Sequence, residues 1–100
     1  MRGMNVIFQV EIDVVIPDAA DREMVRNLSK EESDKAKALQ RSGKWKHLWR
    51  VVGRWSNLSI FDVESAEELH EILTSLPLYR FMTIRVTPLC RHPASVEDLR

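Results

Sequence analysis

Between Val6 and Ile16 the even positions are apolar, Val6, Phe8, Val10, Ile12 and Val14, with Gln9, Glu11 and Asp13 between them. Period two marks a half-buried strand, and Pro17-Asp18 ends it. From Ala20 to Ser42 the period changes. Met24/Val25, Leu28, Ala36 and Leu39 recur at helical spacing in a stretch rich in Lys, Glu, Ala, Leu and Arg, with no internal Gly or Pro. Gly43 supplies its C-terminal stop. A second strand follows, closed by Gly53; strict alternation puts Trp45, His47, Trp49 and Val51 on one face and Lys46, Leu48, Arg50 and Val52 on the other. Trp55 to Val63 reads as a third strand, Leu58 and Ile60 facing one way and Asn57, Ser59 and Phe61 the other. Ser65-Ala66-Glu67-Glu68 has the form of a capping box, and Leu69, Ile72, Leu73 and Leu76 give the second helix its apolar face before Pro77. Phe81 to Leu89 is the last strand, with Met82, Ile84 and Val86 turned inward.

The order β-α-β-β-α-β predicts an α+β, ferredoxin-like fold: an antiparallel sheet with two helices on one face. Residues 1–100 form one domain, with the core over 5–90 and a polar tail over 91–100 that begins at Arg91-His92-Pro93. Two helices cover one sheet face only. On strict alternation the other face carries Trp45, His47, Trp49 and Phe61, too apolar to leave wet. A second copy of the chain is the economical cover, so a homo-oligomer is expected. RNA is the other partner such a face can take. Fifteen Lys plus Arg balanced by fifteen Asp plus Glu, and the lack of an aromatic RNA-binding pattern, argue against it.

Composition narrows the class further. Hydrophobic residues at 44% and charged residues at 30% describe a soluble folded domain. The one cysteine, Cys90, has no partner for a disulfide or a zinc site, and no apolar run reaches membrane-spanning length. Met1-Arg2-Gly3-Met4 lacks a signal-peptide core, and Met4 is itself a candidate start. A reducing, cytoplasmic setting is expected. Three glycines leave no phosphate loop, and His47, His70 and His92 sit in separate elements, so neither a nucleotide nor a metal is expected.

Cofactor-free acid–base chemistry stays open. Glu32 shares a helical face with Leu28, Ala36 and Leu39. A carboxylate on an apolar stripe has its pKa raised toward neutrality and becomes a useful base; alternatively it is a boundary glutamate with its head in water beside a nearby cation. Spacing alone leans to the second. His47 can hydrogen-bond a substrate oxygen or relay a proton, and equally can be satisfied by backbone or an oligomer contact. Arg50 and Arg54 are candidate carboxylate clamps, and Tyr79 offers a hydroxyl. Trp49 and Trp55 belong to residue types more often found in cores and interfaces than as substrate platforms.

The chain resembles the muconolactone isomerase family over about Val6 to Ser95. The resemblance rests on Leu39-Gln40-Arg41-Ser42-Gly43-Lys44-Trp45, His47-Leu48-Trp49-Arg50 and Asn57-Leu58-Ser59-Ile60-Phe61-Asp62-Val63, then Glu68-Leu69-His70, Leu76-Pro77-Leu78, Val86-Thr87-Pro88-Leu89 and His92-Pro93. In this order and spacing the set is specific. The resemblance implies a cofactor-free intramolecular oxidoreductase of the β-ketoadipate route of catechol degradation, converting muconolactone to 3-oxoadipate enol-lactone. It also implies dimers of the α+β barrel type that assemble into a decamer, and a catalytic glutamate eleven residues before the glycine that ends the first helix. That position is Glu32, and the catalytic reading now outweighs the boundary one. His47 and Asn57 are then candidate donors to the lactone oxygen, Arg50 the partner of the substrate's carboxylate, and Trp49 and Tyr79 walls of the pocket.

Two stretches depart from the family's usual pattern. Pro-Leu-Phe-Pro-Tyr-Met reads here Pro77-Leu78-Tyr79-Arg80-Phe81-Met82, and Gly-x-Tyr-x-Asn reads Gly53-Arg54-Trp55-Ser56-Asn57. The runner-up functions are a chloromuconolactone dehalogenase-like enzyme, whose family tends to lack the glutamate, and a non-catalytic module binding a small ligand. A haem- or quinone-handling protein of the same architecture is the third.

Overall fold

The computed structural model describes residues 5–96. The Met1–Met4 opening and the last four residues of the tail lie outside them. Strand β1 spans Val6–Val14, helix α1 Arg22–Arg41, β2 Trp45–Arg50, β3 Ser56–Val63, helix α2 Ala66–Thr74 and β4 Met82–Leu89, with a 3₁₀ turn over Tyr79–Phe81 just before β4. The predicted order is the observed one. The strands pair antiparallel in the spatial order β2-β3-β1-β4, an open ferredoxin-like sheet.

Local chemistry sets the element ends. Asp21 caps α1, its carboxylate accepting from the Glu23 and Met24 N–H groups at 2.9 and 3.4 Å. At the other end Gly43 takes φ +84°, a left-handed stop that a side chain would strain. Ser65 caps α2 by accepting from the Glu68 N–H at 3.0 Å. The Glu68 carboxylate reaches back one residue further than a capping box requires, to the Glu64 N–H at 2.9 Å. Helix α2 stops at Thr74 rather than running to Pro77, because proline disfavours helical backbone in the residue before it.

The even positions of β1 do face the helices. Val10 and Ile12 are buried with Phe61 and Val63 of β3, Ala36 of α1 and Leu69, Ile72 and Leu73 of α2. Met82 and Ile84 of β4 pack against this cluster, while Val86 stays largely exposed. Among the described residues no helix is long and apolar enough to cross a membrane.

One expectation about the sheet is overturned. Trp45 pairs with Phe61, but His47, not Lys46, pairs with the next residue back, Ile60. Lys46 is therefore a β-bulge, and an extra residue inverts the alternation beyond it. Trp45 points toward the helices, 2% exposed and stacked on Phe61 with centroids 4.8 Å apart. Leu48 and Arg50, paired with Ser59 and Asn57, share that side. His47 and Trp49 point the other way and stack on each other at 5.0 Å, nearly parallel. The open face thus carries His47, Trp49, Leu58 and Ile60; Trp45 and Phe61 belong to the core.

Candidate active site

The sheet-facing side of α1 is built of small and polar residues in its middle, Ser29, Ser33 and Ala36 around Glu32. Leucines at those positions would close the gap between helix and sheet. These side chains leave it open, and a cavity of about 590 Å³ lies there, reaching from α1 to the β2–β3 turn and the Leu78 loop. That volume suits a small organic ligand.

Glu32 stands in its wall, half-buried. Its Oε1 accepts a hydrogen bond from the Leu78 N–H at 3.0 Å. Burial raises the carboxyl's pKa above the ordinary glutamate value of 4.5, while the Leu78 N–H and the charge of Lys35 pull it partly back. The result is a carboxylate that is a stronger base than a surface glutamate.

Arg50 and Asn57 face Glu32 across the cavity because the bulge turns Arg50 to the helix side and pairing sets Asn57 beside it. The Asn57 Oδ1 accepts from the Ser59 hydroxyl at 2.7 Å. With the amide oxygen there, the Nδ2 hydrogens have no acceptor among the described residues. Lys37 adds a second cation to the lining. One carboxylate, two cations and an oriented amide can move a proton on an anionic ligand and hold the charge that develops.

Of the six residues expected from sequence, Glu32, Arg50 and Asn57 are brought together here. His47 and Trp49 lie on the open face, and Tyr79 lines a separate groove between α2 and β4 with His70 and Met82. Trp55, not Trp49, walls the cavity. The family pattern, with its aromatic two residues before Asn57, was the signal for Trp55. Gln40 and Lys37 were also legible, four and one residues beyond Ala36 on the same helix. The Leu78 N–H carried no signal, being a backbone group brought in from another element. The indole N–H of Trp45, in the same wall, is buried without a hydrogen-bond partner among the described residues.

The family model described as muconolactone delta-isomerase matches residues 6–95. This chain belongs to that family. Among its relatives it is 54% identical to muconolactone Delta-isomerase 1 of Acinetobacter lwoffii and 50% identical to muconolactone Delta-isomerase of Acinetobacter baylyi. Each alignment covers 92% of this chain and 96% of the relative. A crystal structure of muconolactone isomerase superposes with a TM-score of 0.87 at 43% identity, covering 92% of this chain and 96% of that one. Against the muconolactone delta-isomerase family pattern, the aromatic at 55 sits in the cavity wall while the arginine at 80 sits outside it, over the Phe81 ring at 5.9 Å.

Proposed function

We propose that this chain isomerises muconolactone to 3-oxoadipate enol-lactone, within the breakdown of catechol-type aromatics, with Glu32 as the proton carrier. The observation that carries the reading is the half-buried, cavity-facing Glu32 carboxylate with its raised pKa, opposite Arg50 and Asn57. Relatives named as muconolactone isomerases support the substrate.

Arg50 holds the acetate arm through a guanidinium–carboxylate contact, with Lys37 at the rim reinforcing the positive field. Glu32 takes the ring proton γ to the lactone carbonyl. The electron pair left behind delocalises through the ring double bond onto the carbonyl oxygen, giving a furanolate. The Asn57 Nδ2–H group donates to that oxygen, where one such donor is worth about 2.7–4 kcal/mol. The protonated Glu32 then delivers a proton α to the carbonyl, and the double bond has moved by one position. No cofactor enters this scheme: the substrate supplies both the bond that breaks and the carbon that is protonated.

The stacked His47–Trp49 pair and the half-buried Leu58 and Ile60 support self-association through the open face; dimers that build a decamer are what the family resemblance implies. On this reading His47 and Trp49 act at the subunit boundary. The exposed free thiol of Cys90 supports a reducing, cytoplasmic setting.

The deciding experiment is turnover of muconolactone by the wild type and by Glu32→Gln in deuterated water. Wild-type turnover that collapses in the variant supports the scheme. A wild type inert toward muconolactone, or a Glu32→Gln variant that works normally, defeats it.

A further inference from the structure

The turn between β2 and β3 supplies one whole end of the cavity. Arg50 leaves β2 at its start, and Trp55 and Ser56 stand at its finish. Its own hydrogen bonds are few: the Val51 N–H donates to the Ser56 carbonyl at 3.0 Å and the Arg54 N–H to the Val51 carbonyl at 3.2 Å. Gly53 sits between them at φ +81°. The last two residues of β1 hold it from outside. The Val14 N–H donates to the Trp55 carbonyl at 3.0 Å. The single oxygen Oδ1 of Asp13 accepts from Arg54 Nη2 at 3.0 Å and from the Ser56 hydroxyl. Three consecutive residues, Arg54, Trp55 and Ser56, are thereby each tied to β1. The chain of contacts continues to the substrate side, for Arg50 Nη1 donates to the Arg54 carbonyl at 3.3 Å.

We propose that Asp13 is a positioning residue: it locks the β2–β3 turn so that Arg50 and Trp55 are already placed for an anionic substrate before it arrives. Asp13 does not line the cavity, and it acts only through the turn. The ion pair with Arg54 is largely exposed, with the Arg54 side chain 63% accessible. Such a pair contributes little to global stability, so its effect falls on local geometry. Preorganisation of a binding group lowers the ordering cost of the bound state. The inference rests on the reading of this cavity as the substrate site.

Asp13→Ala, Asp13→Asn and Arg54→Met are compared with the wild type in steady-state kinetics on muconolactone and in ¹⁵N relaxation of the Trp55 indole N–H. The expected result for Asp13→Ala is a KM raised about tenfold with kcat within about twofold of wild type, together with a more mobile Trp55 indole. Asp13→Asn, which keeps the acceptor oxygen, restores most of the loss, and Arg54→Met falls between. A lowered Tm with unchanged KM makes Asp13 merely structural and overturns the proposal. So does a fall in kcat at constant KM, or an unchanged Trp55 indole. If the wild type does not turn over muconolactone, the substrate reading fails by itself, and Trp55 relaxation alone decides the network: lost order in Asp13→Ala supports it, unchanged order overturns it.

Discussion

Glu32 Oε1 and the Leu78 N–H meet at 3.0 Å across 46 positions of chain. The bond does two things at once. It docks the loop after α2 onto α1, and it occupies one carboxylate oxygen while the other is left for chemistry. Glu32→Gln keeps an acceptor for Leu78 and loses the base. Turnover should fall by about 10²–10⁴-fold with the far-ultraviolet spectrum unchanged. Glu32→Ala should in addition destabilise, because a buried N–H is left unpaired at a cost of about 1–3 kcal/mol; thermal melts of the two variants separate the roles.

The pH dependence follows from the same residue. The base form of Glu32 is needed, so kcat/KM should rise on an acid limb whose midpoint lies above the ordinary value of 4.5. Lys35 pulls that pKa down, so Lys35→Met should move the limb to higher pH. Stability runs the other way. A carboxyl with a raised folded-state pKa contributes stability that is complete below 4.5 and is lost as pH rises through the raised value. Glu32→Gln should therefore melt higher than wild type at neutral pH, and the two curves should converge in acid.

Asn57 and Arg50 should fail differently. Asn57→Ala removes a donor useful once charge has moved to the lactone oxygen, so kcat should drop by about 10²–10³-fold with little change in KM. Ser59→Ala, which frees the Asn57 amide to turn, should give a weaker copy of that defect. Arg50→Ala should chiefly raise KM, and Arg50→Lys should recover part of the loss, since a point charge replaces a two-pronged one.

The two tryptophans of β2 should separate cleanly. Trp45→Ala empties a core position, and about 3–5 kcal/mol of stability should go with it, read from urea melts. Trp49→Glu should leave the single-chain fold intact and lower the sedimenting mass, since it puts charge on the open face. An unchanged mass would remove that face from the assembly.

The element order, the Gly43 stop, the Ser65 cap and the inward face of β1 were legible because each follows from short-range rules: period two, period 3.6, a capping box, a glycine stop. The face that Glu32 occupies was legible for the same reason, one helical turn before the buried Ala36, but spacing alone leaned to a boundary glutamate and only the family resemblance pointed to chemistry. The face of Trp45 was not. Period-two reading assumes an unbroken ladder, and nothing in Lys44-Trp45-Lys46-His47 announces that Lys46 is left unpaired opposite β3. That choice is made by packing, since it lets Trp45 stack on Phe61 inside while His47 stays out of the core. The Leu78 contact escaped for a related reason: a backbone N–H looks the same in every sequence, and only the folded path brings it to Glu32.

The bulge at Lys46 also constrains how this strand can change over time. Because one surplus residue separates Trp45 from His47, the six residues of β2 are read in two frames, one addressed to the core and the other to the open face. Beyond the bulge, a substitution at Leu48 or Arg50 is felt only on the cavity side, and one at His47 or Trp49 only outside. Loss of the Lys46 codon would leave an unbroken ladder with Trp45 still inside and His47 and Trp49 still outside, whereas a residue added beyond the bulge and taken into the ladder would exchange the two sets in one step. Point replacements in this strand can accumulate one surface at a time, whereas an added residue that the ladder takes in alters both together.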